Sequence, residues 1–236
     1  EDSKTNSQSH NFDYWDQNNS DNENLNEFYT YFFRQGFKST SSISVNIFAK
    51  AEGKDDEITR GSIVAPFLKV GSGYNFEFSY NSPSYKNGIW GYRFGLQSET
   101  DDYFAFKDSH KKINVGINFN PRDNLRFWMF LSHHSRTNWL NRISDNYYGT
   151  YDQKQTFLNL GSRWYPTNDQ EFQIKLETTS YRNQKGRGWN ADSSGFLVST
   201  NEPADSINLG RLSFQIRYRY EIDPLSNFYL VYTRGG

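Results

Sequence analysis

The chain contains no cysteine, which excludes disulfides and thiolate metal sites and is compatible with either redox compartment. No apolar run approaches the roughly 20 residues that a membrane helix requires. Charge of one sign is also lacking: 26 basic residues stand against 27 acidic ones, so no net field draws the chain to nucleic acid. No signal peptide is present and the first residue is Glu1, so a processed or partial chain is expected. Helical periodicity is absent throughout.

What is present pulls in two directions. Mean hydropathy is −0.90, yet aromatic residues make up 18 % of the 236 positions. A soluble domain this polar carries fewer aromatics, and a disordered chain far fewer. A membrane β-barrel reconciles the two, because only alternate strand residues need be apolar while the loops and the lumen stay polar.

Alternation is the dominant pattern. Leu212, Phe214, Ile216, Tyr218, Tyr220 and Ile222 interleave with Arg211, Ser213, Gln215, Arg217, Arg219 and Glu221. Period two means a strand with one apolar and one charged face. The same pattern recurs at Ile43–Ile47, Tyr74–Tyr80, Trp90–Leu96, Ile113–Phe119 and Phe172–Leu176. An arginine facing lipid at the midplane costs about 2–4 kcal/mol. The Leu212–Ile222 face is therefore assigned to lipid and the Arg211–Glu221 face to the lumen, with Arg163, Lys175, Glu177, Arg211, Arg217, Arg219 and Glu221 as lumen-lining residues.

Connections are of two kinds. Residues 120–124, 165–170 and 223–227 are tight turns rich in Pro, Asp and Asn, whereas 99–110, 137–151 and 184–206 read as longer polar loops. Segments 123–136, 152–165, 169–183 and 207–222 reach or exceed the 9–11 residues or so of a tilted membrane strand. Phe119, Trp164, Tyr165, Phe172, Phe228 and Tyr229 cluster beside the tight turns, where an interfacial girdle would sit. Residues 1–24 read as a polar loop or linker with a short strand around Phe12–Trp15, and residues 25–236 as barrel strands. The spanning segments number about eleven, whereas closed single-chain barrels are even-numbered, so an incomplete set of strands is expected. The fold class is thus all-β, an antiparallel transmembrane β-barrel of outer-membrane type, partial in this chain.

Catalytic and metal motifs are scarce. His133 and His134 are adjacent on a strand and point to opposite faces, so they cannot share one metal. No H-E-x-x-H, Walker loop, G-x-S-x-G elbow or EF-hand series occurs. His133 and Ser135 share a face with Asn138 close behind, and a His-x-Ser pair on the lipid side of a barrel is the arrangement of an outer-membrane phospholipase. The Asn-Gly expected after that serine is missing, and polar residues at the membrane rim explain the pair more simply. Asp55–Asp56–Glu57 and Asp101–Asp102 are candidates for divalent cations bridging lipopolysaccharide, against solvated loop charge as the plainer account. Tyr147, Tyr148, Tyr151 and Trp189 are candidates for stacking on a glycan, or equally for an upper girdle. No catalytic residue, metal ligand or cofactor is assigned.

The stretch "DDEITRGSIVAPFLKVGSGYNFEFSYNSPSYKNG" (55–88) resembles a segment of a family of large bacterial outer-membrane proteins. In that family a family-9-like carbohydrate-binding module precedes a C-terminal β-barrel domain of unassigned function. Its members tend to read D-D-x-x-T-R-G-G-P before an alternating strand. Asp55, Asp56, Thr59, Arg60 and Gly61 match, while Ser62 and Ile63 replace the second Gly and the Pro. The ending "YEIDPLSNFYLVYTRGG" (220–236) and the stretch "SRTNWLNR" (135–142) are similar to two further family segments. The resemblance implies an outer-membrane barrel and carries over no catalytic residue. The expected role is that of a pore, membrane anchor or assembly partner without enzyme activity, with outer-membrane lipid, further strands or another chain, and a glycan as partners. The alternatives are a lipid-ester hydrolase using His133 and Ser135, and a soluble carbohydrate-binding β-sandwich.

Overall fold

The computed structural model describes residues 5–19, 24–60, 62, 64–82, 89–206 and 208–236. Gly61 and Ile63 of the family-like stretch, and 83–88 at its end, lie outside them. The strands are β1 (Thr5–Asn18), β2 (Asn24–Phe37), β3 (Ser42–Lys50), β4 (Gly53–Asp55), β5 (Leu68–Val70), β6 (Gly73–Asn81) and β7 (Trp90–Asp102). They continue as β8 (Lys107–Arg122), β9 (Leu125–Ser144), β10 (Tyr147–Trp164), β11 (Gln170–Ala191), β12 (Leu197–Ser199), β13 (Asn208–Asp223) and β14 (Ser226–Gly235). No helix occurs among the described residues.

One 12-stranded antiparallel sheet dominates, in the order β1-β2-β3-β6-β7-β8-β9-β10-β11-β13-β14, with β12 added to β11. Every neighbour on this path is next in sequence once the small β4–β5 pair and the short β12 are set aside, so the sheet is a meander. Its two outermost strands each pair on one side only, β1 with β2 and β14 with β13. The hydrogen-bonded ladder therefore does not close within the described residues.

Cross-strand pairing settles what each face contains. The partners Phe94↔Val115, Val115↔Leu131, Leu131↔Leu158 and Leu158↔Thr178 form one row, and Met129↔Leu160, Leu160↔Leu176 and Leu176↔Phe214 form another. At the other side of the sheet Phe12↔Tyr31, Tyr31↔Ile47 and Ile47↔Phe76 continue the same face. One apolar face thus runs unbroken from β1 to β14. Among the described residues nothing packs on it: Phe76, Leu96, Leu131, Ile174, Leu212 and Ile216 are all exposed. The sandwich alternative requires a second sheet against these residues, and none is present among the described residues.

At one end the strands turn tightly, as at Asp123–Asn124 and at Pro224–Leu225, where Leu225 takes a left-handed φ of 71°. At the other end the connections fold over one another into a cap. Its core is Ala65, Leu68, Val70, Tyr103, Leu140, Tyr148, Ala191 and Leu197. The Lys69 amide donates to the Gly195 carbonyl at 2.8 Å and Arg142 donates to the Arg60 carbonyl at 2.7 Å. These bonds join the β3–β6 insertion to strands and connections several places away in the sheet.

Three expectations are corrected. Residues 5–18, read as part of a polar linker, form a full strand whose pairing with β2 runs from Thr5↔Phe37 to Asn18↔Asn24. The polar stretches 99–110 and 137–151 are largely strand, since β7 runs to Asp102, β8 starts at Lys107, β9 runs to Ser144 and β10 starts at Tyr147, and 184–206 is strand over 184–191 and 197–199. Ladder hydrogen bonds are made by the backbone and need no apolar side chains, so polar composition alone does not end a strand. Asn138 absorbs the irregularity with a left-handed φ of 59°, which Asn tolerates better than most residues, near the register shift between β9 and β10. Lastly, Tyr229 pairs with Arg219 and so lies on the polar face, not in the apolar girdle.

Candidate functional site

The face opposite the apolar one carries the candidate site. Near the tight turns, Glu171 on β11 is buried and draws in three guanidinium groups. Arg217 on β13 donates to its Oε1 at 2.6 Å, Arg163 on β10 approaches at 3.4 Å and Arg219 on β13 at 3.6 Å. The alternation of β11 and its register with β13 put these groups together, since Glu171 pairs with Arg219 and Gln173 with Arg217. One carboxylate against three cations leaves this cluster net positive.

Further along the same face, Lys175 pairs with Glu177 at 2.9 Å, and Glu177 accepts a bond from the Asn159 amide at 2.6 Å. Asn159 in turn accepts from the Trp128 indole at 2.8 Å. The indole lies over Gly161, where a Cβ would meet both the Trp128 ring and, at 2.6 Å, the Ile174 carbonyl. Arg93 reaches across a strand to sit 5.1 Å from the centre of the Phe130 ring. Toward the cap, His110 contacts Glu99 at 3.2 Å and His134 at 3.4 Å, and His134 contacts Ser132 at 3.0 Å. The Arg136 Nε donates to both oxygens of the buried Asp108 at 2.9 and 2.7 Å, and Lys50 pairs with Asp101 at 2.8 Å.

All seven residues expected on this face stand on it by register. Arg163, Lys175, Glu177, Arg217 and Arg219 are in ion pairs. Arg211 pairs in register with Thr179 and Glu221 with Asn227, and neither forms an ion pair among the described residues. The residues that sequence reasoning did not single out are the centres of the network: Glu171, Asp108, Arg136 and the His110–His134 pair. Alternation marks their face but not their neighbours.

Of the four loop aromatics, two are removed as stacking candidates by burial. Tyr148 and Tyr151 are 0 % and 4 % exposed, so neither offers a ring face to a sugar. Trp189 packs against the cap core with its ring 4.9 Å from Phe106, and its Nε1 donates to Thr150. The Tyr147 hydroxyl donates to the Glu202 and Pro203 carbonyls. The acidic clusters are likewise used internally. Asp55 accepts from the Glu57 and Ile58 amides, and Asp102 accepts from the Phe104 amide and pairs with Lys107. Burial pushes the Asp55 carboxyl above its ordinary range despite those two amides and the charge of Lys50. Burial likewise pushes the Tyr103 phenol up, with Asp101 and Asp55 adding to it. Among the described residues no group of three or more His, Asp or Glu is placed to hold a metal ion.

His133 and Ser135 do stand on the apolar face, as partners of Ile113 and Lys111. His133 Nδ1 is 2.9 Å from the Thr156 hydroxyl, and no hydrogen bond joins it to Ser135. His133 and His134 are on opposite faces, and the partner of His134 is His110 on the neighbouring strand.

Compared with family models, curated proteins and solved structures, the chain matches none.

Proposed function

We propose that this chain is the wall of a bacterial outer-membrane β-barrel, with its apolar face against lipid and its polar face toward an interior. The observation that carries this reading is the contrast between the faces. One is apolar, exposed and continuous over eleven paired strands, while the other carries networks of ion pairs centred on Glu171, Glu177 and Asp108. Soluble monomers rarely expose contiguous apolar patches beyond a few hundred Å². The strands on the main path run from 9 to 22 residues, at or above the 9–11 or so of a tilted membrane strand, and the aromatic pairs Trp90–Phe119 and Trp164–Phe172 gather near the tight turns, where a girdle belongs.

In lipid, the open edges of β1 and β14 would leave backbone groups unsatisfied at several kcal/mol each. Further strands of the same protein or of another chain are the partners this reading assigns to them. Its role is that of a pore, anchor or assembly partner, and the family-like motifs associate it with carbohydrate binding or uptake. No hydrolytic role is assigned to His133 and Ser135, because no base-to-nucleophile contact supports one. Fractionation tests the reading: the protein should sediment with outer membrane, resist extraction by high salt and dissolve only in detergent. Recovery as a monodisperse species in detergent-free buffer would overturn it.

A further inference from the structure

The apolar face ends, on the side of the cap, in a basic row. Register aligns Lys111 on β8 with Ser135 on β9, Ser135 with Lys154 on β10, and Lys154 with Arg182 on β11. All four lie on the same face as Leu131 and Leu158. Adjacent strands are about 4.8 Å apart, so the three cations span roughly 15 Å. Lys111, Lys154 and Arg182 are exposed, and none of them forms an ion pair among the described residues. Three like charges side by side repel one another and call for an anion.

Their height on the sheet says which anion. Ten residues separate Lys154 from Trp164, and ten separate Arg182 from Phe172, the aromatic pair beside the tight turns. At about 3.3 Å per residue and a membrane-strand tilt of about 40°, that distance is roughly 25 Å, the height of a barrel's apolar band. If the aromatic pair marks one interface, the cations stand at the other.

We propose that Lys111, Lys154 and Arg182 bind the phosphate groups of an anionic membrane lipid whose acyl chains lie on Leu131 and Leu158. The proposal rests on the membrane reading above. The two lysines act as point charges, Arg182 offers a two-pronged grip on phosphate oxygens, and the Ser135 hydroxyl stands between them as a hydrogen-bond donor.

The test uses the full chain in non-ionic detergent, titrated with diphosphoryl lipid A, with phosphatidylcholine and with inorganic pyrophosphate, and followed by native mass spectrometry. Diphosphoryl lipid A should bind in preference to phosphatidylcholine, and K111S/K154S/R182S should weaken it about a hundredfold at low salt. K111R/K154R should retain it. Unchanged binding by the triple variant overturns the proposal, as does pyrophosphate binding as tightly as the lipid, which would make the row a site for free anions. Failure of the membrane reading is seen separately, as an unmodified protein that needs no detergent, and it would overturn the lipid site as well.

Discussion

The two faces of the same strands solve opposite problems. On one, Leu131, Leu158 and Leu160 stand beside Val115, Met129, Leu176 and Thr178, and no second layer among the described residues covers them. On the other, Glu171, Asp108 and Glu177 each meet a cation on the same or a neighbouring strand. The polar face supplies partners for many of its own charges, whereas an uncovered apolar face depends for its stability on the medium around it. The difference is set by side chains alone, because the backbone ladder is common to both.

Substitutions that exchange the two chemistries break this comparison most sharply. Leu160→Arg puts a charge mid-way up the apolar face and should cost about 2–4 kcal/mol of stability in lipid, by urea unfolding from liposomes. Ser213→Arg, on the polar face, should cost under about 1 kcal/mol. Equal costs would mean that both faces meet the same medium. Next in size is Glu171→Ala, which removes the one carboxylate from three guanidiniums. A loss of about 2–3 kcal/mol is expected, below that for a fully buried pair because the arginines retain some solvent, and Arg217→Ala in the same background should recover part of it.

A smaller contrast lies between two glycines. Gly161→Ala collides with Trp128 and the Ile174 carbonyl and should cost about 1–3 kcal/mol, with a shift in indole fluorescence. Gly210→Ala meets nothing within 4 Å and should be neutral to within about 0.5 kcal/mol. The smallest effect belongs to the cap. Because the Asp55 carboxyl is raised on folding, the folded state holds its proton more tightly than the unfolded chain. Its contribution is therefore full in acid and is lost as pH rises through the raised value. Asp55→Asn keeps the acceptor for the Glu57 and Ile58 amides and should flatten that decline. Amide exchange across 53–70 at acid and neutral pH measures it.

Much of this was readable from the chain. The alternation at Leu212–Ile222 assigned both faces of β13, and the Asp-Pro-Leu-Ser and Pro-Arg-Asp-Asn stretches marked tight turns. About eleven segments were expected, and eleven strands lie on the main path of the sheet, but one of them is β1, which had been read as linker. What could not be read was where polar strands stop. The upper ends of β9, β10 and β11 looked like loops, because their backbones pair while their side chains carry no apolar signal.

The sequence by itself determined period, face and turn, because these follow from backbone geometry acting on residues two to four apart. Only the tertiary structure decided that Glu171 collects Arg163, Arg217 and Arg219, that His134 meets His110 rather than His133, and that Tyr148 and Tyr151 are buried. Those outcomes depend on which residue stands opposite which across strands and connections distant in the chain. Register is a property of the whole ladder, and no short window of residues contains it.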